Sequence, residues 1–147
     1  MSTPVEEDAN MLRAIIIIAT LISPSVIAQT QNPSAEGAEL YFIAPNDGDT
    51  VTSPVSVKFG LKNMGIAPAG VNVEHTGHHH ILIDTGLPAL DKPIPADEQH
   101  VHFGKGQTET SLNLAPGKHT LQLLLGDYVH TPHSPPVMSK QITITVK

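Results

Sequence analysis

The sequence contains no cysteine and no tryptophan, and aromatic residues make up only 3% of it. Without cysteine the protein has no disulfide and no thiolate for redox or covalent chemistry. Small exported domains often depend on disulfides for their stability. If this chain is exported, its stability must therefore come from its core or from a bound ligand.

Long apolar runs are also scarce, and the single run near the start is typical of a secretory signal peptide. Residues 14–22 carry no charge, Arg13 precedes them, and Pro24 interrupts the chain soon after them. Val26-Ile27-Ala28 has the short side chains of a cleavage site. A membrane-spanning helix needs roughly 20 apolar residues, which is more than this run provides. We therefore expect residues 1–28 to be a signal peptide and the mature protein to be periplasmic or secreted, with no membrane association after cleavage.

Basic residues are few, and the leader contains the only arginine. Three acidic residues, Glu6, Glu7 and Asp8, oppose the positive charge that a leader needs, so Met11 is an alternative start. Cleavage after residue 28 leaves seven lysines against eleven acidic residues. This mildly acidic surface argues against nucleic acid and anionic membranes as partners.

After the leader, the pattern predicts a flexible polar linker at residues 29–37 and one domain at residues 38–147. Short segments of the domain alternate apolar and polar residues with the period of a half-buried strand, and Gly/Pro turns separate them. No segment has a helical period. About seven such strands predict an all-β fold, a single antiparallel β-sandwich of immunoglobulin-like architecture. The expected strands lie at 40–43, 55–59, 79–84, 99–103, 108–114, 121–125 and 141–147.

Nine histidines are the main chemical feature of the chain. Residues i and i+2 of a strand face the same side, roughly 6.5–7 Å apart, so two histidines at that spacing can converge on one ion. A proline-rich loop holds two more histidines, at little cost in conformational entropy. Neutral imidazole is a common ligand of copper and zinc. The candidate metal ligands are His78, His80, His100, His102, His130 and His133.

The other histidines have simpler interpretations. His79 is in phase with Ile81 and Ile83, and His119 is in phase with the leucines that follow it, so both are expected to be hydrogen-bonded core residues. His75 lies in a loop and is expected to be solvated. Thioether sulfur suits Cu(I), and carboxylates can bind a metal or accept hydrogen bonds from its histidine ligands. Such groups are available at Met64, Met138, Asp84, Glu98 and Asp127.

Several longer segments together resemble one protein family. The similar segments include Gly77-His78-His79-His80-Ile81-Leu82-Ile83-Asp84 and lie at residues 63–70, 77–84, 102–109, 116–122 and 126–139. They cover nearly the whole domain and are similar to a family of short exported bacterial proteins, domain of unknown function family 4399. The resemblance implies the fold and export of that family and brings no established activity. Many members carry a histidine near position 128, where this chain has Tyr128, so a ligand there would be altered here.

Three functions are compatible with these features. The first is an exported protein that binds copper or zinc as a carrier, buffer or scavenger. The second is a metal-free protein-interaction module in which the histidines form a structural network. The third is a metalloenzyme, because His100-Val101-His102-Phe103-Gly104 resembles a short segment of the copper–zinc superoxide dismutases. No catalytic triad, phosphate loop or carboxylate pair is evident, so we do not predict an enzyme.

Overall fold

The computed structural model describes residues 30–147, which form nine β-strands and no helix. None of these residues therefore belongs to a helix that could cross a membrane. The predicted signal peptide, residues 1–28, lies outside the described residues. The strands are β1 (Glu39–Ala44), β2 (Thr50–Val51), β3 (Val55–Lys62), β4 (Gly65–Ile66), β5 (Thr76–Ile83), β6 (His100–His102), β7 (Glu109–Leu112), β8 (Gly117–Gly126) and β9 (Ile142–Val146).

These strands form two sheets, as the prediction of an all-β fold requires. The smaller sheet has the order β1-β3-β7. The larger has the order β2-β9-β8-β5-β4, and β6 also pairs with β5. The pairings are antiparallel except for β2 with β9 and β4 with β5, which are parallel. Each expected strand is present, and the two strands that the alternation did not predict, β2 and β4, have only two residues each.

The hydrophobic core lies between the two sheets. The smaller sheet contributes Val57 and Phe59 from β3, and the larger sheet contributes Ile81 from β5 and Leu123 from β8. All four are nearly or completely buried. Burial of a side chain of this kind stabilises a fold by roughly 1.5–3 kcal/mol. The alternation seen in the sequence therefore reflects strands that each place every second residue in this core.

The opposite face of the larger sheet is also covered. Leu82 and Leu124 alternate with core residues along β5 and β8, yet they are 1% and 0% exposed. Ile94, from the proline-rich segment after β5, is buried outside the main core, and its N–H donates to His130 O at 2.8 Å. β5 and the second half of β8 are thus buried on both faces, which explains why these stretches contain so few polar residues besides histidine.

The segment predicted to be a flexible linker is attached to the domain along part of its length. The side-chain amide of Gln31 donates to the carbonyls of Leu90 and Pro132. Ser134 N–H donates to Asn32 O at 2.9 Å, and Pro33 forms a bridge with Ser134. The interpretation of residues 29–37 from composition alone did not anticipate these contacts.

Candidate metal centre

Three histidines meet on the outer face of the larger sheet because of strand register. His78 and His80 alternate along β5, so both rings leave the strand on the same side. On the neighbouring β6, His102 is the residue directly opposite His80. One ligand atom from each of these three side chains lies within 4.8 Å of the others. His78 and His80 are buried, whereas His102 is exposed. The cluster therefore has a buried base and an accessible edge.

A fourth imidazole, that of His130, comes from the loop after β8. Its Nε2 lies 3.1 Å from Nε2 of His102. The backbone of His130 has φ 69, a left-handed conformation that costs a non-glycine residue roughly 1–2 kcal/mol. Something in the loop must offset that cost.

The buried carboxylate of Asp127 holds this loop in shape. Its Oδ1 accepts from the N–H of Val129 at 3.0 Å and of Thr131 at 2.8 Å. Its Oδ2 accepts from the side-chain amide of Asn32 at 3.0 Å. Asp127 was expected to bind metal or to accept from a ring N–H. Its oxygens are instead engaged by the backbone and by Asn32, so its role at this site is to position His130.

The separations of the four rings are those of a compact, three-dimensional cluster. Five of the six distances between ring centroids lie between 4.7 and 5.1 Å, and the sixth, between His80 and His130, is 6.0 Å. Imidazoles that bind one ion tetrahedrally at about 2.0–2.1 Å would have centroids roughly 5 Å apart. The arrangement is thus close to that of a four-imidazole site, and the ring of His130, which is not among the three with mutually close ligand atoms, is the one that would have to move most.

Two glycines leave room for the imidazole rings of His80 and His102. A Cβ on Gly104 would lie 2.2 Å from Cε1 of His102, and a Cβ on Gly126 would lie 2.8 Å from Cε1 of His80. Gly126 is also the residue opposite His78 across the β5–β8 pairing. A side chain at either glycine would displace an imidazole, so these positions belong to the site although they carry no ligand.

Burial keeps the inner rings neutral. Desolvation, aided by the neighbouring imidazoles, lowers the pKa of His78 to about 4 and that of His80 to about 2. Desolvation and His130 also lower the pKa of His102. A metal ion binds the neutral form of imidazole, so these three rings are in the ligating state at neutral pH.

The inner rings are poorly supplied with hydrogen bonds. Within residues 30–147, neither ring nitrogen of His78 has a hydrogen-bond partner, and Nδ1 of His80 has none. A neutral imidazole always carries one N–H, so His78 has a buried donor without an acceptor in either tautomer. Leaving a buried polar group unpaired costs about 1–3 kcal/mol. An ion bound at one nitrogen of each ring would remove part of that cost.

The structure does not bring the remaining two predicted ligands to this cluster. His100 Nδ1 lies 2.7 Å from Oδ1 of Asp97, with its ring beside that carboxylate. His133 Nε2 donates to Thr76 O at 3.1 Å, and its ring packs beside Gly77. The i, i+2 argument thus applies to His78 and His80 but not to His100 and His102, because Asp97 engages His100.

The other sequence-based interpretations have mixed outcomes. His79 is buried against Phe59 in the core, as expected, but its Nδ1 has no hydrogen-bond partner among the described residues. His119 is half-buried and bonded to Asp84. His75 is exposed, in agreement with the prediction. The remaining candidate groups show no contact with the cluster: Met64 packs against the core, Met138 lines a surface pocket with Tyr41 and Ile142, and Glu98 is exposed.

Together the fold and the site define an all-β domain with a histidine cluster on the outer face of its larger sheet. The sequence profile of the family described as Domain of unknown function (DUF4399) matches residues 57–147. This is more than half of the chain, and the protein therefore belongs to that family, as the resemblance in sequence predicted. The match includes all four clustered histidines but not the attached segment at residues 30–37. A search of curated proteins and a search of solved structures gave no match.

Proposed function

We propose that this protein is an exported metal-binding protein that holds zinc or copper through His78, His80, His102 and His130. It would act as a carrier, buffer or scavenger. One observation carries the proposal: four imidazoles converge from two strands and a loop, with ring centroids 4.7–6.0 Å apart. Like-charged or merely solvated histidines have no reason to gather in this way.

The unpaired nitrogens favour metal binding over a metal-free histidine network. A structural network is stabilising only when its members are hydrogen-bonded to one another. In the described part of the chain, a single ring-to-ring hydrogen bond joins members of the cluster, between His102 and His130. His78, the most buried member, takes part in none. The interaction-module hypothesis therefore gives no physical reason for these histidines to cluster.

The number of protein ligands favours binding over catalysis. Catalytic zinc sites have three protein ligands and keep one position for water or substrate, whereas structural sites have four. Four imidazoles would fill a tetrahedral shell. This supports a protein that holds or transfers the ion over a zinc enzyme that keeps one position open for water or substrate.

Export and the immunoglobulin-like architecture are further parts of the proposal. Export to the periplasm or to the exterior rests on the predicted signal peptide at residues 1–28. The immunoglobulin-like assignment rests on the two packed sheets and on short strands that Gly/Pro turns connect. An exposed metal-binding edge at His102 would then face the medium from which metal is acquired.

The test is the metal content of the untagged protein after export. We expect close to one equivalent of zinc or copper in the wild type, and loss of that metal in His80→Ala and in His102→Ala. His75→Asn is the matched control, because His75 is exposed and Asn tolerates its left-handed backbone. Elemental analysis that finds no metal, with no micromolar binding on titration with either ion, would contradict the proposal.

A further inference from the structure

We infer that the cluster is a closed tetrahedral site that selects Zn²⁺ over copper. This inference rests on the proposed function and names the ion that the same site takes. Its argument is geometric, because zinc and copper use the same imidazole ligands but Cu²⁺ prefers a tetragonal or square arrangement.

The ring separations distinguish a tetrahedron from a square. Four imidazoles in a square would place two opposite pairs of centroids roughly 6.4 Å apart and the other four pairs roughly 4.5 Å apart. His80 and His130 are one long pair, at 6.0 Å. Their counterpart, His78 with His102, would also have to be long, yet it measures 5.0 Å. The cluster is therefore not a flattened site with two opposite pairs.

The backbone pairing of β5 with β6 keeps the two residues of this second pair close together. His78 lies on β5 and His102 on β6, and the two strands are joined by the pairing of Ile81 with Val101. Ile81 is fully buried and Val101 packs against the same core. Moving the two rings apart by more than 1 Å would require the buried imidazole of His78 to leave its position or the exposed ring of His102 to turn away from it. Rotation of the His130 side chain towards His80 completes a tetrahedron.

The described residues around the cluster also offer no sulfur ligand that would favour Cu⁺. Cu⁺ is favoured by thiolate and thioether sulfur. The chain has no cysteine, and of the two methionines in the described residues, Met64 packs against the core and Met138 lines a surface pocket with Tyr41 and Ile142. Asp127, the carboxylate nearest in sequence to His130, is engaged by backbone N–H groups, so oxygen-preferring ions gain no ligand from it. Four imidazole nitrogens in a tetrahedral arrangement match Zn²⁺.

Cobalt is the probe of this geometry, because tetrahedral Co²⁺ absorbs visible light far more strongly than the octahedral ion. We expect one equivalent of CoCl₂ to give the intense tetrahedral spectrum with the untagged full-length protein as exported, and ZnCl₂ to remove it stoichiometrically. Outer-shell changes alone weaken metal binding about 10- to 100-fold, so loss of the ligand in His130→Asn should weaken Zn²⁺ binding by more than that. Asn retains the left-handed backbone at this position, and His75→Asn is again the control.

Competition between zinc and copper separates failure of this inference from failure of the proposed function. Cu²⁺ generally binds nitrogen ligands more tightly than Zn²⁺, so a preference for zinc must come from geometry. We expect the wild type exposed to equal ZnCl₂ and CuCl₂ to retain a larger share of zinc than His130→Asn does. An equal share of zinc in the two proteins, or an axial Cu²⁺ resonance spectrum of the square type, would overturn the tetrahedral zinc assignment and leave metal binding intact. Weak octahedral cobalt bands would also overturn it. Binding of none of these ions would overturn both.

Discussion

The two ends of β5 carry histidine sites of opposite character. At one end, His78 and His80 are buried among other imidazoles, and desolvation lowers their pKa values. Directly after the other end, Asp84 receives the ring of His119, whose Nδ1 lies 2.6 Å from its carboxylate. Nε2 of His119 lies 2.8 Å from Ala115 O. These contacts raise the pKa of His119, the hydrogen bond to Asp84 contributing most.

The difference shows that surroundings, rather than residue type, decide what a histidine can do. His119 has an oxygen acceptor at each nitrogen, so as a cation it is positioned to donate two hydrogen bonds. His78, His80 and His102 have no carboxylate partner in the described part of the chain, and burial lowers their pKa values, so their neutral rings have lone pairs that a metal can use. His119 and Asp84 thus form a surface ion pair, whereas the histidine cluster has the chemistry of a metal centre.

Of the substitutions that test this comparison, removal of the carboxylate that holds the loop of His130 should have the largest effect on stability and zinc binding. Asp127→Ala leaves two backbone N–H groups and the Asn32 amide without their acceptor. We expect a loss of about 2–4 kcal/mol in the free energy of unfolding of the apo protein, and weaker zinc binding, because His130 would lose its backbone support. Urea denaturation and zinc titration measure the two effects.

The control for this change is Asp49→Ala. Asp49 also accepts from a backbone N–H, that of Asn46 at 2.7 Å, but in an exposed turn. We expect a smaller loss of stability and unchanged zinc affinity. Equal effects of the two substitutions on zinc binding would mean that Asp127 does not position the fourth ligand.

Filling the space beside His102 should affect metal binding more than stability. The Cβ of Gly104→Ala would lie 2.4 Å from Nε2 of His102, whose exposed ring can turn away at little cost to the fold. We expect at least about tenfold weaker zinc binding, which is roughly 1.4 kcal/mol, with a nearly unchanged melting temperature of the apo protein. Calorimetric titration and thermal melting provide the two values.

Gly86→Ala is the matched control, because a Cβ there would have no atom within 4 Å and Gly86 has no positive φ. It should change neither property. If Gly104→Ala binds zinc as the wild type does, His102 is not a ligand.

The smallest effect concerns the pair at the other end of β5. The contact with Asp84 raises the pKa of His119 above 6.5, so its contribution to stability is present below pH 6.5 and is lost as the pH rises through the raised value. For Asp84, burial alone would raise the pKa, but hydrogen bonds from His119 and Thr120 outweigh it and hold it below 3.8. The stability contributed by the ionised Asp84 carboxylate is present above pH 3.8 and is lost as the pH falls through the lowered pKa of Asp84.

Asp84→Asn should therefore lower stability by at most about 1 kcal/mol, mainly between pH 4 and pH 6.5, and leave zinc binding unchanged. Asn suits the positive φ of 53 at this position. Denaturation curves across this pH range measure the effect. An equal loss at a pH above the raised pKa of His119 would show that the ion pair is not its cause.

Much of the fold followed from the sequence because each main strand buries one alternating face. The segment at 55–59 predicted β3, and the leucines at 121, 123 and 125 predicted the core face of β8. The covering of the other sheet face was not predictable, since it depends on the path of the proline-rich segment around Ile94. The pairing of β4 with β5 involves only two residues of each strand, which is too short for an alternating pattern to be recognised in the sequence.

Only part of the candidate site could be predicted from the sequence. The i, i+2 spacing correctly placed His78 and His80 on one face, but the same rule gave His100 and His102 equal weight. Nothing in that spacing shows that Asp97 engages His100 or that strand register sets His102 opposite His80. The role of His130 depends on a left-handed backbone that a buried carboxylate stabilises. Asp127, two to four residues before the N–H groups it accepts from, was the one local signal of such a turn.

The most direct test of the central claim is the thermal stability of the untagged protein with zinc and with a chelator. Zinc at 100 times its dissociation constant should stabilise the folded state by about 2.7 kcal/mol. We therefore expect the wild type to melt several degrees higher with zinc than with chelator, and His80→Ala to show no difference. Identical melting temperatures for the wild type under the two conditions would contradict the account of the cluster as a metal centre.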